Sequence, residues 1–445
     1  MHTLAQLQTG QLAGTHRLQL SCGLTEFPSE IFDLADTLEI LDLSGNALRT
    51  LPADLARLTR LRIIFCSNNL FTELPAVLGQ CAQLTMIGFK SNRIRDVPAD
   101  ALPPALRWLI LTDNDIAELP ATIGRCAQLQ KLMLAGNRLR DLPEELASCT
   151  QLALLRIAAN QMNALPEWLL GMPQLAWLAY AGNHIGTPAA HPVAGQGTIA
   201  WKRLHIAQQL GEGASGIIHQ AVLDADAEGT GPRDVAVKLF KGAITSDGLP
   251  DCELAACVLA GSHPNLIPVL GEVKGHPGGV HGCVMALIDP AYRNLAGPPS
   301  LDSCTRDVYL GPKVFSRDAL LRLARGIASA ARHLHSRGIL HGDLYAHNIL
   351  HTGAGDALLG DFGAASLFDA GGRQAAALQK LEVRAFGLLL GELVARCDSA
   401  CSDHPARAAM LASLAELRDA CIQPAPAARP FFDEIVRRLD RHLPA

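Results

Sequence analysis

The chain has 445 residues, a formal net charge of −5, a pI of about 6.3 and 49% hydrophobic residues. This is room for two or three domains, and the balance carries no general signal for nucleic acid or a lipid surface. No uncharged apolar stretch approaches the ~18–20 residues needed to cross a bilayer, and M-H-T-L-A-Q-L-Q lacks the basic start and apolar run of a secretory signal. The expectation is a cytoplasmic protein without a membrane span, its twelve cysteines held as reduced thiols.

The chain begins by repeating itself. Asn46, Asn69, Asn92, Asn114, Asn137, Asn160 and Asn183 recur at intervals of 23, 23, 22, 23, 23 and 23 residues. Each sits in the frame L-x-x-L-x-L-x-x-N-x-L-x-x-L-P, as in L-E-I-L-D-L-S-G-N-A-L-R-T-L-P (38–52). A degenerate first copy without the Asn precedes them at L-Q-L-S-C-G-L-T-E-F-P (18–28), which makes eight copies in all. The L-x-L core predicts a short strand with its leucines inward. The Asn side chain can satisfy buried backbone groups where the chain turns. One repeat cannot bury its own apolar face, so stacking must supply the core. The frame resembles the leucine-rich repeat over roughly residues 15–188, which implies an α/β solenoid, a horseshoe of parallel strands, for residues 1–190.

Cys81, Cys126 and Cys149 each lie three residues before the first Leu of a repeat and read as small buried hydrophobes. Cys397 and Cys401 lack the second pair that a zinc site needs. The strand positions expected on the open concave side are largely apolar: Ile40, Ile63, Met86, Trp108, Leu154 and Trp177, interrupted by Lys131. Such a ridge predicts a docking surface for a protein partner. A Gly- and Pro-bearing stretch without periodicity (186–198) reads as a linker or capping segment, the linker set at 191–200.

From Trp201 the pattern changes. L-G-E-G-A-S-G-I-I (210–218) places Gly211, Gly213 and Gly216 where backbone amides can approach phosphate oxygens closely. An apolar strand, V-A-V-K (235–238), then ends in Lys238, and Glu253 follows in a helical stretch. The strand G-C-V-M-A-L-I (282–288) and the amphipathic helix over 319–340 lead to H-G-D-L-Y-A-H-N-I-L (341–350) and L-G-D-F-G (359–363). Strands on Ile349 and Leu350 and on Leu358 and Leu359 should bring Asp343, Asn348 and Asp361 to one end of a strand pair.

These landmarks, in this order over roughly 200–440, resemble the protein kinases. The resemblance implies an α+β bilobal domain at 201–445, with an N-lobe to about 285 and a C-lobe from about 289 to 443. It implies ATP and Mg2+ as cofactors. Gly211, Gly213, Gly216, Lys238, Met285 and Leu287 would line the nucleotide site. Lys238 would pair with Glu253, Asn348 and Asp361 would hold the metal, and Asp343 would orient the acceptor hydroxyl. R-A-F-G-L-L-L-G-E-L (384–393) resembles the family's central C-lobe helix and A-R-P-F-F-D-E-I-V (428–436) its closing helix.

The departures bear on regulation and substrate. Gly342 stands where the family has the Arg that meets an activation-segment phosphate, and Tyr345 stands where it has a Lys. The segment after D-F-G offers one hydroxyl, Ser366, and no A-P-E element. Glu382 takes the place of the central helix's usual Asp, and the partner of Arg429 is left open. The reading is a Ser/Thr protein kinase whose solenoid recruits a partner or substrate. The alternatives are a pseudokinase scaffold and a kinase-like small-molecule phosphotransferase.

Overall fold

The computed structural model describes residues 2–185, 197–213, 215–225, 231–242, 244–245, 247–311, 314–398 and 405–443. Most of the expected linker, 186–196, together with Ala214 and Cys401, lies outside them. The chain divides into two compact units, Met1–Leu175 with Asn183–Ile185, and Ala176–Gly182 with Gly186–Ala445.

The first unit opens on a short helix, α1 (Leu4–Gln8), whose Thr3 and Gln6 cap one another reciprocally. The repeats follow. Their strands are β1 (Arg17–Gln19), β2 (Ile40–Asp42), β3 (Ile63–Phe65), β4 (Met86–Gly88), β5 (Trp108–Ile110), β6 (Lys131–Met133) and β7 (Leu154–Arg156). All pair in parallel, with Ile40, Ile63, Met86, Trp108, Lys131 and Leu154 in one register row. The middle residue of each strand points inward: Leu41, Ile64, Ile87, Leu109, Leu132 and Leu155 are fully buried. Proline after the frame's last apolar residue starts most return segments: Pro28, which follows Phe27, and Pro75, Pro120 and Pro143, which follow leucines, precede 3-10 turns. Before the eighth copy the return segment is instead a short helix, α2 (Glu167–Leu170).

The asparagine ladder performs the task expected of it. Asn137 accepts from the Ile116 amide at 3.0 Å and donates to the carbonyls of Leu111 and Leu134, both at 2.9 Å. The same pattern recurs from Asn46 to Asn160. Cys81, Cys126 and Cys149 are buried free thiols, pushed by burial up to about 11, 11 and 12.

The concave ridge departs from its expectation. Ile63, Met86 and Leu154 are buried, and only Ile40 and Trp108 keep partial exposure. Neighbouring rungs cover one another. Lys131 Nζ lies 4.2 Å from the Trp108 ring centroid, and Trp108 Nε1 donates to Met133 Sδ at 3.4 Å. Trp177 is buried too and carries no free surface. It lies in β8 (Trp177–Ala179), the strand of the eighth repeat, which belongs to the second unit.

The second unit holds a six-stranded sheet ordered β10-β11-β12-β14-β13-β9. Its strands are β9 (Thr198–Ala200), β10 (Leu204–Glu212), β11 (Gly216–Leu223), β12 (Arg233–Phe240), β13 (Val269–Lys274) and β14 (Gly282–Ala286). Pairing is antiparallel except where β9 lies parallel to β13, so the end of the expected linker is a strand. Alternate β-branched residues, Val235 and Val237 with Val273 and Val284, fill its core against Ile199 and Leu204. Helix α3 (Pro250–Ala260) buries Leu254 and Cys257.

The C-lobe is built on α4 (Arg317–Ser336), capped by Ser316, whose apolar face is buried nearly end to end. Around it lie β15 (Arg293–Asn294), β16 (Ile339–Leu340), β17 (Ile349–His351), β18 (Ala357–Leu359) and β19 (Ser366–Leu367). Helices α5 (Ala375–Val394), α6 (Pro405–Cys421) and α7 (Phe432–Asp440) complete it. The central helix begins nine residues ahead of the quoted stretch, and the closing helix begins only at Phe432. Arg429 is buried and donates to the carbonyls of Gln423 and Lys380 at 2.8 and 3.0 Å. Among the described residues no helix is long and apolar enough to cross a membrane.

Candidate active site

Two hairpins assemble the site. Strands β17 and β18 pair antiparallel with Ile349 opposite Leu359, as the apolar runs require. Asn348 sits just before β17, and Asp361 two residues beyond β18. Asp361 takes a left-handed backbone (φ 55°), and its Oδ1 accepts from the Gly363 amide at 3.2 Å. Above them, the register of β12 against β11 and β14 sets Lys238 opposite Ile218 and Cys283.

Lys238 is the hinge of the electrostatics. Its ammonium is ion-paired with Glu253 of α3 and lies 3.6 Å from Asp361 Oδ1. Burial works against the Lys238 charge, yet the Asp361 and Glu253 carboxylates hold its pKa above the ordinary lysine value. Burial raises the Glu253 pKa despite the lysine beside it. Asp361 stands deep in the cleft with half of its side chain still reached by solvent. Burial disfavours its charge, but Lys238 and the Gly363 amide keep its pKa below the usual value.

Asp343 is held from two sides. Asn348 Nδ2 donates to its carboxylate at 2.7 Å and to its backbone carbonyl at 2.9 Å. His347 Nε2 lies 3.9 Å from the same carboxylate, and its Nδ1 is 2.7 Å from Asp307. Burial works against charging His347, but Asp307 and Asp343 raise its pKa above the usual value. The loop is tied down by His341, 3.0 Å from the Gly360 carbonyl, and by Glu382, which accepts from the Gly342 amide at 2.7 Å and from His335 at 2.8 Å.

The three glycines separate into two kinds. A Cβ on Gly211 or Gly213 would meet nothing within 4 Å, so that edge is open to a ligand. On Gly216 it would come within 2.6 Å of the Leu239 carbonyl, so Gly216 is needed for β11 to pack on β12. Met285 and Leu287 are half-buried, the first within β14 and the second just past its end.

The donor set fits magnesium. One carboxylate and one amide oxygen are the sparse hard-oxygen set from which this ion is held alongside phosphates and water. The Asn348 amide hydrogens are used on Asp343, which leaves Oδ1 as the acceptor. One support escaped the sequence reading: Asp307 sits 40 residues from His347 in an irregular loop with no motif.

Residues 204–387 match the family model described as protein tyrosine and serine/threonine kinase, and residues 37–58 match that of the leucine-rich repeat. The chain carries a leucine-rich-repeat region and a protein kinase domain. It is 27% identical over 175 residues to fibroblast growth factor receptor 1 of Pleurodeles waltl, covering 37% of this chain and 21% of the relative. It is 28% identical over 167 residues to a probable serine/threonine-protein kinase of Dictyostelium discoideum, covering 37% of this chain and 9% of that protein. The match therefore spans well under half the length of these curated relatives. A solved LRR protein of Leptospira interrogans shares 29% identity, with 41% of this chain and 46% of that one covered and a TM-score of 0.38.

Proposed function

We propose that the second unit is an ATP-dependent protein kinase acting on Ser or Thr, and that the solenoid recruits its protein partner or substrate. The observation that carries this is one constellation: Lys238 paired with Glu253 and facing Asp361, with Asp343 fixed by Asn348. A kinase needs these groups together before it can transfer a phosphoryl group.

In this reading Lys238 holds the α- and β-phosphates, and Glu253 keeps it from swinging away. The open edge at Gly211 and Gly213 lets backbone amides approach the phosphates. Asp361 and Asn348 hold Mg2+, which neutralises charge on the phosphates when bound. Asp343 accepts a hydrogen bond from the acceptor hydroxyl and aims its oxygen for in-line attack. Tyr345 lends no positive charge to the transferred group, and this favours the scaffold reading as the alternative. The solenoid's partner would meet the half-exposed Ile40 and Trp108.

Calorimetric titration with ATP and magnesium tests the nucleotide site. Asp361→Ala should abolish the magnesium-dependent part of binding. Undiminished binding by that variant would overturn the assignment.

A further inference from the structure

The strand of the eighth repeat is bonded into the catalytic machinery. All of the contacts that follow lie inside the second unit. The Trp177 indole stacks on Tyr345, with ring centroids 4.1 Å apart and planes within 7°. Its Nε1–H donates to the Leu344 carbonyl at 3.1 Å. Leu344 and Tyr345 are the two residues after Asp343. Three residues beyond Trp177 the same segment turns to the stretch after D-F-G. The Tyr180 and Ala181 amides both donate to Ser366 Oγ, at 2.9 and 3.1 Å, and the Tyr180 hydroxyl donates to the Leu367 carbonyl at 3.1 Å.

Gly342 shows that the arrangement is built in. It has φ of 72°, and a Cβ there would lie 2.5 Å from the Ala364 carbonyl and 2.7 Å from that of Leu178. The two carbonyls come from the segment after D-F-G and from β8. No side chain fits on this left-handed backbone between the two carbonyls, so the arginine of the family pattern has no place in this arrangement of the loop, the segment after D-F-G and β8. The hydroxyl that a phosphate would occupy, Ser366, is fully buried under the Tyr180 and Ala181 amides.

We propose that Ala176–Gly182 is an intrinsic clamp that positions the catalytic loop and the segment after D-F-G, with Trp177 as the positioning residue acting through Tyr345. The clamp joins the two segments by neutral stacking and hydrogen bonds, and so replaces an arginine–phosphate contact. It deepens the kinase reading and rests on it for its effect on catalysis. The tyrosine at the lysine position then has a purpose, since it offers a flat face for the indole. Arg306, 5.7 Å from the Trp177 centroid and ion-paired with Glu392, adds a cation to the ring column.

Amide hydrogen exchange on the intact chain tests the clamp without requiring activity. Trp177→Ala should speed exchange in residues 341–348 and 362–368 by about tenfold or more while leaving β12 unchanged. Trp177→Phe, which can still stack, should retain most of the protection. Turnover on a generic protein acceptor should show kcat lowered by about tenfold in Trp177→Ala, with KM for ATP within about twofold, because the Lys238 cluster is untouched. Wild-type protection of both stretches in Trp177→Ala, or equal losses in the Ala and Phe variants, would overturn the proposal. Should Trp177→Ala unfold, exposing β12 as well, Tyr180→Phe decides. It removes the hydroxyl's bond to the Leu367 carbonyl and should loosen 362–368 selectively, and no change there would sink the clamp. A wild-type chain that transfers no phosphate would defeat the kinase reading, while the exchange pattern would still judge the clamp.

Discussion

Ser366 tests whether the segment after D-F-G is held by structure or awaits modification. Its Oγ accepts from two backbone amides, one belonging to the buried Tyr180 and one to the half-buried Ala181. Ser366→Ala removes the acceptor that the buried Tyr180 amide uses, at a cost of ~1–3 kcal/mol. The Ala181 amide can recover part of its loss from solvent, so the two costs do not simply add. For a unit of this size each kcal/mol lowers the melting temperature by ~2–4 °C, which predicts a fall of about 2–12 °C. Scanning calorimetry reads the transition, and a phosphotransfer assay below it should find most activity retained. A melting temperature equal to wild type would refute the hydrogen-bond reasoning. Activity that is lost below the transition, or that rises after treatment with another kinase, would mean that Ser366 works as a phosphoacceptor.

Two further variants probe the same neighbourhood and the back of the C-lobe. Gly342→Ala combines a left-handed backbone with a Cβ pressed on two carbonyls, so urea unfolding should show a loss of about 3 kcal/mol or more; a cost below about 1 kcal/mol would mean that β8 yields easily. His263, desolvated and facing His333, Arg332 and Arg325, has its pKa pushed down to about 4. Between that value and the ordinary ~6.5 the unfolded chain binds the extra proton, so stability falls as pH drops through this window and is fully present above it. His263→Gln should flatten that part of the stability–pH curve, and an unchanged slope would show that other groups set it.

Much of this molecule could be read directly from its residues. The Asn period located every rung but the first, because a side chain that satisfies buried backbone must return at a fixed interval. The cluster of Asp343, Asn348 and Asp361 was legible because the three are close in the chain and flank two short apolar strands. The concave ridge was misread for a physical reason. Strand alternation tells which face a side chain leaves by, but not what lies against that face. Trp177 leaves the strand as expected and meets Tyr345, 168 residues later, with no period or motif to connect them. Arg429 was equally opaque, since its partners are backbone carbonyls that any sequence would supply. The departures Gly342 and Tyr345 looked like losses one at a time. Beside β8 they become one arrangement.

The central claim is that Asp343 directs phosphoryl transfer in a site assembled around Lys238. The most direct measurement compares wild-type protein and Asp343→Asn for transfer of labelled phosphate from ATP to proteins of a cell extract, followed by phosphoamino-acid analysis, with ATP binding measured separately. Labelled Ser or Thr is expected with the wild type, and a fall of ~10²-fold or more in the variant with ATP binding preserved. Equal transfer by both proteins, or none by a wild type that binds ATP and magnesium, would contradict it.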